Sequence, residues 1–360
     1  MTERDFVAPP DLGIPVSGHT RWRAPSNIAL IKYWGKKDKQ LPANPSLSFT
    51  LDNSTSTTSL SYRRLDKKAG GFSFEIFLDG KPEPAFRPKI QSFFDRILPY
   101  LPFLREYHFK IETANSFPHS SGIASSASGL AALALCLAEL QREWISSRGE
   151  GFFYKWASFI ARLGSGSASR SIQGPVMEWG QDANTEGSSD LYAIPYPFEI
   201  HGSFQNYQDT ILLVDRGRKE VSSTLGHGLM HGHPFAESRF EQAYKDLELL
   251  KDAFRTGDLG AFAQIVEREA LSLHAMMMTS NPYFILMKPN TLEIISQIKS
   301  FRDHTNLPLC FTLDAGANVH LLYPEGVKQE VFAFIKERLI AFCENGQYIC
   351  DQIGFGAKKM

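Results

Sequence analysis

The spacing of apolar and polar positions changes several times along this chain, and each change marks an element. A strand-like run starts at Thr20 and enters Ala24-Pro25-Ser26-Asn27-Ile28-Ala29-Leu30-Ile31-Lys32-Tyr33-Trp34-Gly35-Lys36. Leu47–Leu51 and Thr57–Tyr62 alternate as two strands, and Phe72–Leu78 is a third, turned at Asp79-Gly80. Lys89–Leu98 reads as a helix and Tyr107–Thr113 as a strand. Helices follow over about Gly129–Arg142, within an Ala/Leu run that opens at Ala127, and Phe152–Leu163. Gly174–Trp179 returns to a strand. Residues 1–20, with Pro9-Pro10 and Gly13, read as a loose arm.

A composition shift at 200–210, after Pro195 and Pro197, places a domain boundary between residues 1–205 and 206–360. The second part reads strand (Thr210–Asp215), then helices Pro234–Thr256, Leu259–Met276 and Thr291–Thr305. Strands Leu309–Leu313 and Asn318–Tyr323 and a helix over Gly326–Ala341 complete it. Strands and helices grouped in this way predict an α+β protein, not a regular parallel α/β sheet.

Composition narrows the function. At 360 residues, 43% hydrophobic and 21% charged, the chain fits a soluble globular protein. A net charge of -1 argues against nucleic acid or another polyanion as partner. No apolar run reaches the ~18 residues of a membrane span, and no membrane partner is expected. The opening MTERDFVAPPDLG lacks the apolar region of a signal peptide. Cys136, Cys310, Cys343 and Cys350 are scattered without metal-ligand spacing and read as reduced thiols of a cytoplasmic protein.

Candidate chemistry concentrates in Asn115–Glu139. Pro118-His119-Ser120-Ser121-Gly122-Ile123-Ala124-Ser125-Ser126 is a small-residue loop running into the Ala/Leu helix. Its backbone N–H groups, the helix dipole and the serine hydroxyls suit a phosphate and Mg²⁺. It lacks the lysine of G-x-x-x-x-G-K-[ST], and a capped buried helix is the plainer alternative. Three other stretches set an ionisable residue among small ones. They are the Lys32/Lys36 stretch, Gly164-Ser165-Gly166-Ser167-Ala168-Ser169-Arg170-Ser171 and Leu313-Asp314-Ala315-Gly316-Ala317-Asn318. Loops of this kind usually serve a site.

Together with Val221-Ser222-Ser223-Thr224, these stretches resemble the GHMP kinase superfamily and, within it, the diphosphomevalonate decarboxylase family, from about Ala24 to Leu322. The resemblance implies an N-terminal domain with a left-handed βαβ crossover and a ferredoxin-like C-terminal domain, the active site lying in the cleft between them. It also implies a reaction. ATP phosphorylates the 3-hydroxyl of mevalonate 5-diphosphate, and the 3-phosphate leaves with CO₂ to give isopentenyl diphosphate, ADP and phosphate. A homodimer is implied as well. Rival readings are a phosphomevalonate decarboxylase, a mevalonate 3-kinase-like enzyme, or a non-catalytic metabolite sensor on the same fold.

By the same resemblance, Asp314 is the catalytic aspartate, able to accept the proton of a tertiary alcohol. Its plainer reading is a strand-end Asp satisfying a turn. Arg170 holds the substrate carboxylate, for which a planar bidentate donor is suited, or else it makes a structural ion pair. Lys32 stands beside Asp314 and the transferring phosphoryl group, and Ser222 near the substrate hydroxyl. Tyr33, Lys36, Ser165 and Ser167 fall on the substrate side, although Tyr33 and Trp34 would equally suit an interdomain wall. Ser120, Ser121, Gly122, Ala124, Ser125, Ser126 and Lys219 fall on the ATP side, with Ser126 on Mg²⁺.

Four features stand outside that pattern. His119-Ser120-Ser121 is more polar than the family's usual loop, and His119 is expected to cap the turn. Gly354-Phe355-Gly356-Ala357 replaces a usual Gly-Ser-Gly-Pro and is expected to be structural. His227, His231 and His233 lie close in sequence, but Gly226, Gly228, Gly232 and Pro234 deny them the helix that a His–His metal pair needs. Met276-Met277-Met278 reads as adaptable core.

Overall fold

The computed structural model describes residues 1–9, 12–67, 70–117, 125–149, 151–217 and 223–360. Its frame is the antiparallel ladder of β1 (Ser17–Ile31) and β2 (Ser46–Arg64), paired from Ser17↔Arg63 to Ile31↔Leu47. The two strands expected over 47–51 and 57–62 are therefore one. Asp52-Asn53-Ser54 between them is polar and turn-like in sequence. It stays extended because the Asp351 carboxylate accepts the backbone N–H groups of Asp52 (3.0 Å), Asn53 (2.8 Å) and Ser54 (2.7 Å). That support comes from the far end of the chain, which no local pattern reports.

β3 (Ser73–Leu78) turns through β4 (Lys81–Pro82) into α1 (Arg87–Ile97) and returns as β5 (Tyr107–Asn115). β3 and β5 pair in parallel, which makes the expected βαβ unit. α2 (Ser125–Glu139), α3 (Arg142–Ser147) and α4 (Phe152–Gly164) follow. From Ala127 to Ala138, α2 is apolar nearly all round and buried in the first core, as such a helix must be. β6 (Val176–Trp179) pairs with the first half of β2, and β7 (Ile194–Pro195) with β6.

The second half is a sheet of β8 (Gln208–Leu212), β9 (Cys310–Leu313), β10 (Val319–Tyr323) and β11 (Tyr348–Gln352). Its order, β11-β8-β10-β9 with every pair antiparallel, is that of a ferredoxin-like sheet. α5 (Ser223–Gly228), α6 (Ala236–Thr256), α7 (Leu259–Met278) and α8 (Pro289–Thr305) lie between β8 and β9, and α9 (Lys328–Phe334) follows β10. Lastly, β12 (Lys358–Lys359) joins the edge of the first sheet beside β1.

Three expectations need correction. The start of the chain is not a loose arm. Phe6 is fully buried with its ring 4.1 Å from that of Phe159, and Trp156 Nε1 donates to its carbonyl. The stretch 164–171 is not an open loop. After α4 ends, Gly166–Ser171 is a 3₁₀ helix whose Ser169, Arg170 and Ser171 are buried. The helix expected over 326–341 is broken, α9 passing at Ile335 into a π turn and then a 3₁₀ turn at Ile340–Phe342. The tail is structural, as expected: Gly354 N donates to Thr50 O, and a Cβ there would lie 2.7 Å from Asp52 Cα.

The halves share one apolar core. Ile28, Leu30, Leu47 and Phe49 of the first sheet pack with Tyr207, Phe254 and Phe262 of the second half, and with Phe204 just before it. Such a contact seats the ends of β1 and β9 at a fixed separation. Among the described residues, no helix is long and apolar enough to cross a membrane.

Candidate active site between the two halves

A cavity of about 940 Å³ opens between the halves. Asn27, Lys32, Ser167 and Arg170 line it from the first half, and His227 and Asp314 from the second.

Lys32 follows the last residue of β1 and is 1% exposed. Its Nζ lies 3.6 Å from Asp314 Oδ1, an ion pair too long for a hydrogen bond. Nζ has no hydrogen-bond partner among the described residues. Burial lowers the pKa of this ammonium, and the charges of Asp314 and Glu269 oppose that fall.

Asp314 leaves β9 at the turn toward β10. Its backbone carbonyl serves the turn, taking Gly316 N–H at 2.8 Å and lying 3.1 Å from His274 Nε2. Its carboxylate reaches across the cleft instead, so the plain turn-forming reading accounts for only part of the residue.

Arg170 is 2% exposed on the buried 3₁₀ helix. Its polar partners among the described residues are Ser46 Oγ and, at 3.4 Å, Asn27 Oδ1. Both are uncharged, and among the described residues its Nε has no hydrogen-bond partner. Burial pushes its pKa down to about 10, which leaves it a cation at neutral pH. A buried guanidinium without a carboxylate is expensive unless an anion completes it. The structural ion pair considered for Arg170 is thus not seen among the described residues.

Ser165 and Ser167 are half-buried, their hydroxyl oxygens 3.3 Å apart. Gly166 between them is required: a Cβ would lie 2.7 Å from the Tyr33 ring and 2.8 Å from the Trp179 ring. Tyr33 packs edge-on to Trp179 and against His227. Trp34 packs with Met230, Leu273, Met276 and Met277 of the second half, an interdomain wall. Met276 and Met277 are core, while Met278 is exposed. Lys36 donates to Gln40 Oε1 at 2.8 Å and lines the cavity, as does Arg96 of α1, whose charge helps to lower the Lys36 pKa after burial.

At the start of α2, Ser126 is exposed and accepts from Lys89 Nζ at 2.5 Å. Ser120, Ser121, Gly122, Ala124, Lys219 and Ser222 lie outside the described residues, as do His119 and the side chain of Ser125. His227 is an acceptor: its Nδ1 takes Gly35 N–H at 3.0 Å, and burial holds its pKa down to about 3. His233 Nδ1 accepts Phe235 N–H at 3.2 Å. Among the described residues, no three His, Cys, Asp or Glu are grouped to hold a metal ion.

Sequence reasoning missed Asn27, Ser46, Lys89, Arg96, Arg239, Glu269 and His274. A signal existed for two of them. Ile265, Val266, Glu269, Ala270 and Leu273 form the buried stripe of α7, and Ala236, Arg239, Ala243 and Leu247 that of α6. A charge set in an apolar stripe marks a buried pair. Asn27 and Ser46 carried no local signal, because their partner Arg170 is distant in sequence.

The two-domain α+β fold, with Lys32, Asp314 and Arg170 lining one cavity at the domain cleft, suits an enzyme that acts on a small anionic molecule. Residues 24–192 match the family described as Diphosphomevalonate decarboxylase-like N-terminal domain, and residues 210–354 match Mevalonate 5-diphosphate decarboxylase C-terminal domain. The chain is 32% identical over 357 residues to the diphosphomevalonate decarboxylase of Ganoderma lucidum, covering 93% of this chain and 84% of that protein. It is 30% identical over 328 residues to that of Candida albicans, covering 87% and 86%. The crystal structure of mevalonate diphosphate decarboxylase from Staphylococcus aureus superposes with a TM-score of 0.81 at 29% identity, over 96% of this chain and 98% of that one. A structure described as MDDEF in complex with MVAPP, AMPPCP and Magnesium gives 0.80 at 28%, over 96% and 99%. The chain belongs to the diphosphomevalonate decarboxylase family.

Proposed function

We propose that the chain performs the family reaction through Lys32, Asp314 and Arg170. It is an ATP-dependent decarboxylase converting mevalonate 5-diphosphate to isopentenyl diphosphate, ADP, phosphate and CO₂. The observation that carries the site reading is the buried Lys32 ammonium facing Asp314 across the cleft, with the Arg170 guanidinium lining the same cavity without a carboxylate of its own. In this reading the Asp314 carboxylate accepts the proton of the 3-hydroxyl as it attacks the γ-phosphate of ATP. Lys32 offsets the charge that builds on the phosphoryl oxygens and keeps Asp314 ionised. Arg170, held by Ser46 and Asn27, takes the substrate carboxylate in a fork and orients the carbon–carbon bond for cleavage.

Ser165, Ser167, Tyr33 and Lys36 receive the rest of the substrate, Lys36 and Arg96 offering cations to its 5-diphosphate. The ATP phosphates go to the stretch containing Ser120, Ser121, Gly122, Ala124, Ser125 and Ser126, with Lys219 approaching them and Ser222 near the hydroxyl. Ser126 and the phosphate oxygens would hold Mg²⁺, an ion that takes few protein ligands and neutralises phosphate charge. The hydroxyl at the start of α2, already beside the Lys89 ammonium, suits that environment. The domain boundary at 205/206, a homodimer and a cytoplasmic location belong to the same proposal and are supported by sequence and family resemblance.

The test is a panel of mevalonate and its 5-phosphate, 5-diphosphate and 3-phosphate forms, with ATP and Mg²⁺, followed by ADP and CO₂ release. CO₂ from the 5-diphosphate, with little from mevalonate or its 5-phosphate, is the expected result. ADP without CO₂ would make the chain a kinase.

A further inference from the structure

Glu269 of α7 is a fully buried carboxylate that none of these roles uses. Its Oε2 accepts two hydrogen bonds, one from the backbone N–H of Lys32 at 2.8 Å and one from Arg239 Nη2 of α6 at 2.7 Å. Among the described residues its Oε1 has no hydrogen-bond partner, nor do Nε and Nη1 of Arg239. A buried pair with so much unused hydrogen-bonding capacity gives little net stability, and apolar residues of the same size usually do as well or better. Stability therefore leaves the pair unexplained. Its location offers a reason, since the carboxylate is fastened to the residue that carries the only ammonium buried in the cleft among the described residues.

We propose that Glu269 is the positioning residue for Lys32. It ties the lysine's backbone to α7 where the chain leaves β1, and its negative charge keeps Lys32 Nζ protonated while the cleft is dry. The inference rests on the role given to Lys32 above. Lys32 Nζ is faced by Asp314, by Glu269 and His274 of α7, and by Arg170 of the 3₁₀ helix. Glu269 is faced by Arg239 and Asp246 of α6, and Asp246 is itself tied to Arg268. Of these, Asp314 and Glu269 favour the ammonium, while Arg170 and burial disfavour it. Burial pushes the Glu269 carboxyl up to about 7, and Arg239 and the Lys32 N–H oppose that rise.

Two substitutions remove the Glu269 charge by different routes. Glu269→Gln keeps an acceptor for the Lys32 N–H but removes the charge, so Nζ loses its proton at lower pH. Arg239→Met removes the cation that holds the buried Glu269 carboxyl ionised, and since burial already pushes that carboxyl up to about 7, it takes a proton and Nζ again loses its own at lower pH. The experiment measures kcat/KM for mevalonate 5-diphosphate with ATP between pH 6 and 10, with thermal unfolding at each pH. Glu269→Gln should move the alkaline limb down by about one pH unit, a loss of about tenfold on that limb. Its KM for ATP should stay within about twofold, since uniform binding is untouched. Arg239→Met should move the limb down as well, because Glu269 is then uncharged. Glu269→Asp, which keeps the charge, should retain the parent limb, and it decides the matter if either other variant fails to fold. Equal losses at every pH in Glu269→Gln and Arg239→Met would overturn the inference, as would a Glu269→Asp limb displaced downward. A parent chain that releases neither ADP nor CO₂ would contradict the proposed function itself and this inference with it.

Discussion

Lys32 Nζ and Asp314 Oδ1 lie 3.6 Å apart across the domain cleft, one at the end of β1 and the other at the end of β9. Neither half of the chain holds both groups. The separation depends on the shared apolar core of Ile28, Phe49, Tyr207 and Phe262, which seats one sheet on the other. Loosening that core would therefore disturb chemistry at a distance, since small misplacements of reacting groups cost large factors in rate.

Arg170→Lys should abolish most turnover while the variant stays folded. Lysine keeps the charge but loses the fork that Ser46 and Asn27 orient. The KM for mevalonate 5-diphosphate should rise and kcat/KM fall by about 10²-fold or more, with ATP binding near that of the parent. Steady-state kinetics in each substrate check it. Full activity in Arg170→Lys would return the residue to a structural role.

Ser126→Ala should lower kcat by on the order of 10²-fold through the loss of one oxygen at the phosphate end of the site. The melting temperature should change little, because Ser126 is exposed and its contact with Lys89 is at the surface. Unchanged kinetics would leave Ser126 as an ordinary residue of the first turn of α2.

Acid should weaken the fold through two buried histidines. Burial holds His227 down to about 3 and His274 down to about 4, against about 6.5 when unfolded. Between about pH 6.5 and 4 the unfolded chain thus binds more protons than the folded one, and stability falls as pH falls. Each histidine contributes a slope of at most about 1.4 kcal/mol per pH unit in that window. Denaturant unfolding of the parent and of His274→Gln at pH 4.5 and 6.5 checks this. The variant should lose less stability between the two pH values, and an equal loss would contradict the assignment.

Much of this site could be read from residue order, and the unread parts share a cause. Lys32, Asp314 and the Ser-Gly-Ser stretch stood out because small residues flank an ionisable one. The 164–171 stretch reads as a small-residue loop because Gly and Ser usually mark one. Its burial comes from Tyr33 and Trp179, which pack over Gly166 from other strands. The single long β2 was hidden for the same reason, since Asp351 supplies the acceptors that keep Asp52-Asn53-Ser54 extended. Glu269 and Arg239, missed above, sit in the apolar stripes of α7 and α6, a signal that marks them as buried but neither pairs them nor brings either to Lys32.

Asp314→Asn separates a base for phosphoryl transfer, the role proposed for Asp314, from a group that acts only in carbon–carbon cleavage. Asparagine preserves the size of the side chain and leaves the backbone carbonyl of the turn in place. ADP and CO₂ are followed together in a single turnover of mevalonate 5-diphosphate and ATP. Both should fall by roughly 10³-fold, a barrier higher by about 4 kcal/mol, because the 3-hydroxyl proton has no acceptor. Supplying the 3-phosphate intermediate should largely restore CO₂ release. Normal ADP formation with CO₂ release alone abolished would contradict the account and move Asp314 to the carbon–carbon cleavage step.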